Sequence, residues 1–237
     1  MEEVITRKRT RRDFIMTGAA GIGLLLAGPG GLALAAGKQE SKEEEIGPVE
    51  DLMREHGVLR RVLLIYEEAH HRLDTGKDLP SGVVVDSAGI IRRFVEDYHE
   101  KLEQHELFPR FRQAGKLVQL VDVLHNQHQA GRGLTDSILQ SATPAGLADA
   151  GTRRKLTEAL RQFLRMYRPH AAWEDTVLFP AFRSLVSPKE YDALGEKFED
   201  KEKELFGKEG YEKMVNQVAE LEKKLGIYDL SQFTAKV

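Results

Sequence analysis

The chain has no cysteine among its 237 residues. That excludes disulfides, cysteine-ligated zinc, iron–sulfur clusters, thioether-linked haem and a lipidated cysteine. Any metal chemistry must therefore come from His, Asp and Glu, and the chain carries eight His. An excess of either charge is also missing. Lys and Arg number 35 against 38 Asp and Glu, a formal net charge of −3, so the basic surplus of a general nucleic-acid binder is absent. Strand signals are lacking too: no stretch alternates apolar and polar residues for long, and no Asn-Gly turn occurs. What is present is 41% hydrophobic and 31% charged residues, enough for an ordinary globular core. The length suits one substantial domain with additional segments.

The first forty residues read as an address. Arg7, Lys8, Arg9, Arg11 and Arg12 precede an uncharged run from Phe14 to about Ala36, which closes on Ala33-Leu34-Ala35. Basic region, apolar region and a small-residue end make an export signal. The run Thr10-Arg11-Arg12-Asp13-Phe14-Ile15 resembles the twin-arginine (Tat) signal, with Thr where Ser is usual. The apolar run is long enough to anchor in a bilayer, but its glycines and its Ala-x-Ala end favour cleavage. The expectation is a Tat-type signal peptide over 1–36 and a periplasmic or extracellular protein, an uncleaved membrane anchor being the alternative. Partnership with the Tat machinery follows, and that route carries folded proteins, so a metal could be loaded in the cytoplasm. The segment nets +2, so its loss moves the charge from −3 to about −5. A polar linker over 37–47 follows, its Glu43-Glu44-Glu45 run being a solvated tether.

From Pro48 onward the apolar positions step at three and four residues, the period of a helix. A first helix is expected from Pro48 to about Asp74, capped at Gly76. A loop with Pro80 and Gly82 should lead to a second helix from about Asp86 to Arg112. A third is expected over about Lys116–Gln140, a polar connection from Thr143-Pro144, and a fourth over about Thr152–Leu185. Ser187-Pro188-Lys189-Glu190 reads as a helix start, with Ser187 as cap and Glu190 reaching back. Two shorter helices should follow, about Pro188–Phe206 and Tyr211–Leu225. The class is all-α: an up-and-down four-helix bundle over 48–186 with a C-terminal helical extension over 187–237.

An internal repeat carries the functional information. His99 to Phe111 and His170 to Phe182 both follow the formula H-x-x-x-E-x-x-x-L-F-P-x-F, each position 71 residues from its match. The preceding helices match more weakly: His56 and Arg60 correspond to His128 and Arg132 at an offset of 72. Four residues advance a helix by ~6 Å and return it to within ~40° of the same face. A His and a Glu so spaced can address one site. The donors are then His56, His99, Glu103, His128, His170 and Glu174. Four imidazoles and two carboxylates in pseudo-symmetric array would hold two metal ions with bridging carboxylates. A single buried His is more commonly a hydrogen-bonded core residue, and that reading applies to His56 taken alone. Two matched His/Glu pairs weigh against it, because Glu is rarely buried without a partner. The Leu-Phe-Pro-x-Phe portion reads as packing, with Pro109 and Pro180 bending or ending the helix. Two six-coordinate ions offer about twelve positions, of which the six side chains fill about eight and a bridging oxo or hydroxo group two more.

These elements together resemble the hemerythrin-like, or HHE cation-binding, family. The matching residues are His56 within Arg54-Glu55-His56, the pair His99/Glu103, His128 within Gln127-His128, and the pair His170/Glu174, with Leu-Phe-Pro after each pair. The resemblance covers about 48–185. It implies a hemerythrin-like four-helix bundle with two iron ions, oxo- or hydroxo-bridged, that meet dioxygen or another small diatomic or peroxide ligand. Mn or Zn suits the same donors. The oxygen carriers of the family place H-x-x-x-H on the third helix, where this chain has His125-x-x-His128, and H-x-x-x-x-D on the last, where it has H-x-x-x-E. His125 and Glu100 are therefore secondary candidate ligands; Glu100 otherwise reads as a solvated helix face. His70, His71 and His105 read as surface, Tyr167 and Trp173 as packing, and Pro169 as a kink. The implied activity is binding or sensing of oxygen or reactive oxygen and nitrogen species rather than turnover. The alternatives are a peroxidase-like or nitric-oxide-reducing enzyme and an iron storage or donation protein. No nucleic-acid partner is implied, and the sequence does not specify an oligomeric state.

Overall fold

A computed structural model of the chain describes residues 46–235. The signal peptide and most of the linker read from the sequence lie outside those residues. The described part is all-α. Helix α1 is Pro48–Thr75. It starts with Pro48 in its first turn, where a missing N–H costs nothing, and Glu50 and Asp51 complement its positive end. Gly76 closes it at φ 68°, the left-handed conformation glycine adopts without strain.

Helix α2 covers 81–113. It starts earlier than the sequence suggested, because Pro80 supplies the extended residue before it and Gly82 is accommodated in the first turn. It contains two stretches of wide, π-type turns, Ile91–His99 and Glu103–Leu107. Gly115 at φ 63° and Leu117 at φ 51° make the tight link to α3, Val118–Ser141. A short helix α4, Pro144–Ala148, occupies the connection that the sequence read as loop. Helix α5 covers 150–182, passes through Pro169, and has its own π turn at Glu174–Leu178.

The π turns at Glu103–Leu107 and Glu174–Leu178 explain how Pro109 and Pro180 sit inside helices. Proline lacks an N–H and its ring crowds the preceding turn. A wide turn just before it removes the clash, so the helix continues instead of ending. Each of these turns begins at a repeat glutamate, Glu103 or Glu174.

Helices α1, α2, α3 and α5 pack in a ring, each against the next and α5 back against α1. Their shared interior holds Leu59, Val62, Tyr66, Phe94, Leu124, Ile138, Leu160 and Phe163, all buried. The first pair, α1 with α2, corresponds to the first copy of the repeat, and α3 with α5 to the second. Helices α6, Pro188–Phe206, and α7, Gly210–Leu225, pack mainly on α1 and α2. The capping box of Ser187 and Glu190 is formed. Arg61 clasps Glu222 through two contacts of 2.9 and 2.5 Å, and Arg54 lies 4.5 Å over the Tyr211 ring. Among the described residues, no helix is long and apolar enough to cross a membrane.

Candidate metal centre

The bundle brings the six repeat donors to one place. His56 comes from α1, His99 and Glu103 from α2, His128 from α3, and His170 and Glu174 from α5. All are buried, with 4% exposure at most. They form two groups able to hold an ion, His56/His99/Glu103 and His128/His170/Glu174, with donor atoms within 4.8 Å of one another in each.

The glutamates link the groups. Glu103 places Oε1 3.6 Å from His99 Nε2 and Oε2 3.4 Å from His128 Nε2. Glu174 places Oε2 3.3 Å from His56 Nε2 and Oε1 3.1 Å from His170 Nε2. Each carboxylate thus offers one oxygen to each pair of imidazoles. All four oxygens are buried without a hydrogen-bond partner, an arrangement that is costly unless a cation compensates it.

The imidazoles test the fit further. His56 and His99 face each other Nε2 to Nε2 at 3.1 Å, and His128 and His170 do so at 3.2 Å. Two ligands bound at ~2.1 Å to one ion would be this far apart at an angle of ~95–100°. Each Nδ1 has its own partner. Asp175 lies 2.7 Å from that of His56, Glu55 2.8 Å from that of His99, and Gln127 2.8 Å from that of His170. The Gln104 side-chain amide, whose two ends are interchangeable by a flip, lies 2.8 Å from that of His128. A Nδ1–H donated outward leaves the Nε2 lone pair for a metal and fixes the ring. The donor set therefore fits two cations.

The chain belongs to the hemerythrin HHE cation-binding family. The family model for the hemerythrin HHE cation binding domain matches residues 47–144 and 119–226, two overlapping stretches that reach into α7. The chain is 48% identical to uncharacterized protein Rv1995 of Mycobacterium tuberculosis over 201 residues, 84% of this chain and 79% of that one. It has the same identity and coverage with uncharacterized protein Mb2018 of Mycobacterium bovis. No solved structure matches it. As in its family, this is a helical protein built to bind metal cations.

Electrostatics in the metal-free site follow from burial. Burial opposes charge on His56, but the Asp175 and Glu174 carboxylates outweigh it and push its pKa up to about 9. His99 is pushed down to about 3 by burial and by the positive charge of His56. His128 falls well below the usual range, again through burial and then His170. The two glutamates split. Burial and the Glu174 charge raise Glu103 well above the carboxylate range. For Glu174 burial works upward, but His170 and His56 hold it well below. Like charges this close do not both ionise without a cation between them.

The hemerythrin-like repeat also supplies a packing shell. Phe108 of the first Leu-Phe-Pro stacks on His128 at 5.5 Å and 16°, and Phe179 of the second stacks on His56 at 5.5 Å and 22°. Each copy thus covers a ligand of the other, and Phe111 meets Phe182 at 6.0 Å. The weak Arg60/Arg132 match has a role as well: Arg60 pairs with Asp175, and Arg132 reaches Glu100 at 3.3 Å and Asp97 at 2.9 Å.

The secondary candidates lie elsewhere. His125 is partly exposed, and neither it nor Glu100 belongs to either ligand group. Glu100 is not a solvated face: it is 1% exposed and accepts a 2.8 Å hydrogen bond from the Tyr167 hydroxyl. Burial outweighs that bond and pushes its pKa up to about 8. Tyr167 packs edge-on against His170 at 5.3 Å. His71 and His105 are exposed, and His70 sits 3.3 Å from Asp74. Trp173 is 55% exposed rather than packed inside. It lines a cleft of about 340 Å³ with Leu120, Val123, Gln127, Pro169 and His170. A larger groove, about 600 Å³, is lined by residues such as Val85, Arg92 and Leu221 and touches none of the six donors.

The residues holding Nδ1 were not singled out from sequence. Their signal was positional: Glu55 and Gln127 each precede a ligand His, and Gln104 and Asp175 each follow a ligand Glu.

Proposed function

We propose that this protein is an exported two-iron protein that binds or senses dioxygen or a reactive oxygen or nitrogen species at the His/Glu centre. The observation that carries the reading is the placement of Glu103 and Glu174, each with one oxygen toward each imidazole pair. Two ions held that way, in a site without sulfur, suit iron bound by imidazole and carboxylate. Bound iron supplies paired one-electron redox change and open positions for a small ligand.

The chain's own residues have separable tasks. His56, His99, His128 and His170 supply nitrogen, and Glu103 and Glu174 supply shared oxygen. Asp175, Glu55, Gln104 and Gln127 orient the four rings. Phe108 and Phe179 cover two of the imidazoles and keep water from their faces. Export would follow from the twin-arginine resemblance of Thr10 to Ile15, a route compatible with iron loaded before transfer. Periplasmic or extracellular residence completes the reading.

The test is to produce the full chain through its own signal, recover it outside the cytoplasmic membrane, and record iron content and absorption with and without air. About two Fe per chain and a spectrum that cycles reversibly with oxygen support a binding protein. Sustained consumption of peroxide or nitric oxide would replace that reading with an enzyme. Rapid loss of iron from both sites to a chelator would replace it with iron donation.

A further inference from the structure

The two halves of the centre carry the same ligands, but what stands behind the ligands differs. In the His56/His99 pair both Nδ1 atoms face carboxylates, Asp175 at 2.7 Å and Glu55 at 2.8 Å. In the His128/His170 pair both face amides, Gln104 and Gln127, each at 2.8 Å. The positions correspond within the repeat, so an acid in one copy stands where an amide stands in the other. Further acid lies behind the first pair: Asp51 and Glu202 bring carboxylate oxygens within 4.8 Å of that of Glu55, and all three side chains are buried. Arg60 offsets part of this charge through Asp175 and Arg54 part of it through Asp51 at 3.5 Å, but Arg60 is itself half exposed. Behind the second pair the Gln104 amide has the Lys101 ammonium, not an acid, 3.4 Å away.

An imidazole that donates to a carboxylate is more basic and binds a cation more strongly than one that donates to a neutral amide. Access differs in the same sense. The 340 Å³ cleft beside Trp173 and Val123 is lined by His170 and Gln127, and by no donor of the first pair.

We infer that the two cation sites are inequivalent: the carboxylate-backed His56/His99 site fills first and retains its ion, and the amide-backed His128/His170 site fills second and exchanges through the cleft. This rests on the two-cation reading above. It assigns the retained ion to the first copy of the repeat and the exchangeable ion to the second.

Co(II) titration of the metal-free full chain, followed by its visible absorption under argon, tests the inference. Two binding steps are expected, separated by at least ~10-fold in affinity. Crystals at one equivalent should show anomalous scattering beside His56 and His99. Asp175→Asn and Glu55→Gln keep the size of the side chain and should each weaken the first step by ~10–100-fold while sparing the second. Gln104→Glu should strengthen the second step and narrow the gap, a gain that a merely unfolded variant cannot produce. Withdrawal by chelator should empty the His128/His170 site first. Two indistinguishable steps, or a first ion beside His128 and His170, would overturn the inequivalence and leave the two-cation centre standing. Failure to bind any Co(II) by protein with native circular dichroism would overturn both.

Discussion

Gly131 shows how closely the second layer of the site is fitted, and the fit can be put to a number. It lies inside α3, and a Cβ placed on it would sit 2.0 Å from the Tyr167 hydroxyl oxygen and 2.8 Å from the ring carbon that bears it. Tyr167 has little freedom to retreat. Its ring stacks on Phe163 at 4.3 Å, meets His170 at 5.3 Å, and is 1% exposed. Its hydroxyl donates to Glu100, the residue after His99. In Gly131→Ala the better helix propensity contributes ~1 kcal/mol. Forcing a group into a filled space costs ~2 kcal/mol, and leaving the Glu100–Tyr167 pair broken in the interior costs ~2 kcal/mol more. The net is a destabilisation of ~3 kcal/mol, or a fall in Tm of ~6–12 °C for a domain of this size. Gly133, two residues on, is exposed and has nothing within 4 Å of a built Cβ. Gly133→Ala should therefore gain ~1 kcal/mol and raise Tm by ~2–4 °C. Thermal unfolding of the two variants beside the parent, all metal-free, is the assay. Equal stabilisation by both substitutions would refute the reasoning, since it would mean that Tyr167 does not hold its place against Gly131.

Three further outcomes follow from the same structure. His56 has a folded pKa raised from 6.5 to about 9, so it keeps its proton up to that pH and a cation must displace it. Apparent cation affinity should rise by up to ~10-fold per pH unit for each proton displaced until about pH 9, then level off; calorimetry in buffers of different ionisation enthalpy should find at least one proton released near pH 7.5, and none would contradict the assignment. Cation at 100 times its Kd should add ~2.7 kcal/mol per site, a rise in Tm of ~5–11 °C per site, whereas a Tm indifferent to divalent metal would count against binding at the buried glutamates. Ser187→Ala removes one half of the α6 capping box and should cost ~1 kcal/mol in thermal unfolding, with cation stoichiometry unchanged because α6 supplies none of the six donors.

Much of the architecture was legible because its signals are local. The Gly76 cap, the Ser187/Glu190 box and the three- and four-residue apolar steps each depend on a few neighbouring residues. The convergence of the six candidate donors was legible because two copies of one formula stand in register, and a helix puts positions four apart on one face. Other features depend on what the chain meets after folding. Pro109 and Pro180 read as bends or ends of helices, but a π turn before each lets the helix pass through. The start of α2 was placed too late because Gly82, a residue of loops by propensity, is held inside its first turn. Glu100 read as solvated because periodicity shows only its angle from His99, while Tyr167 arrives from another helix. The supporting shell was hidden for a different reason. The repeat was matched by identity, and at those positions an acid in one copy replaces an amide in the other.

The central claim is that four histidines and two glutamates form one centre for two metal ions. The most direct measurement is the metal content of the full chain, produced with its N-terminal segment intact and then purified, beside that of the His99→Ala/Glu103→Ala double variant. The account predicts about two Fe per parent chain, an absorption that changes between argon and air, and loss of both in the double variant while the helical circular dichroism persists. A parent chain that folds without bound metal, or a double variant that keeps both ions, would contradict it.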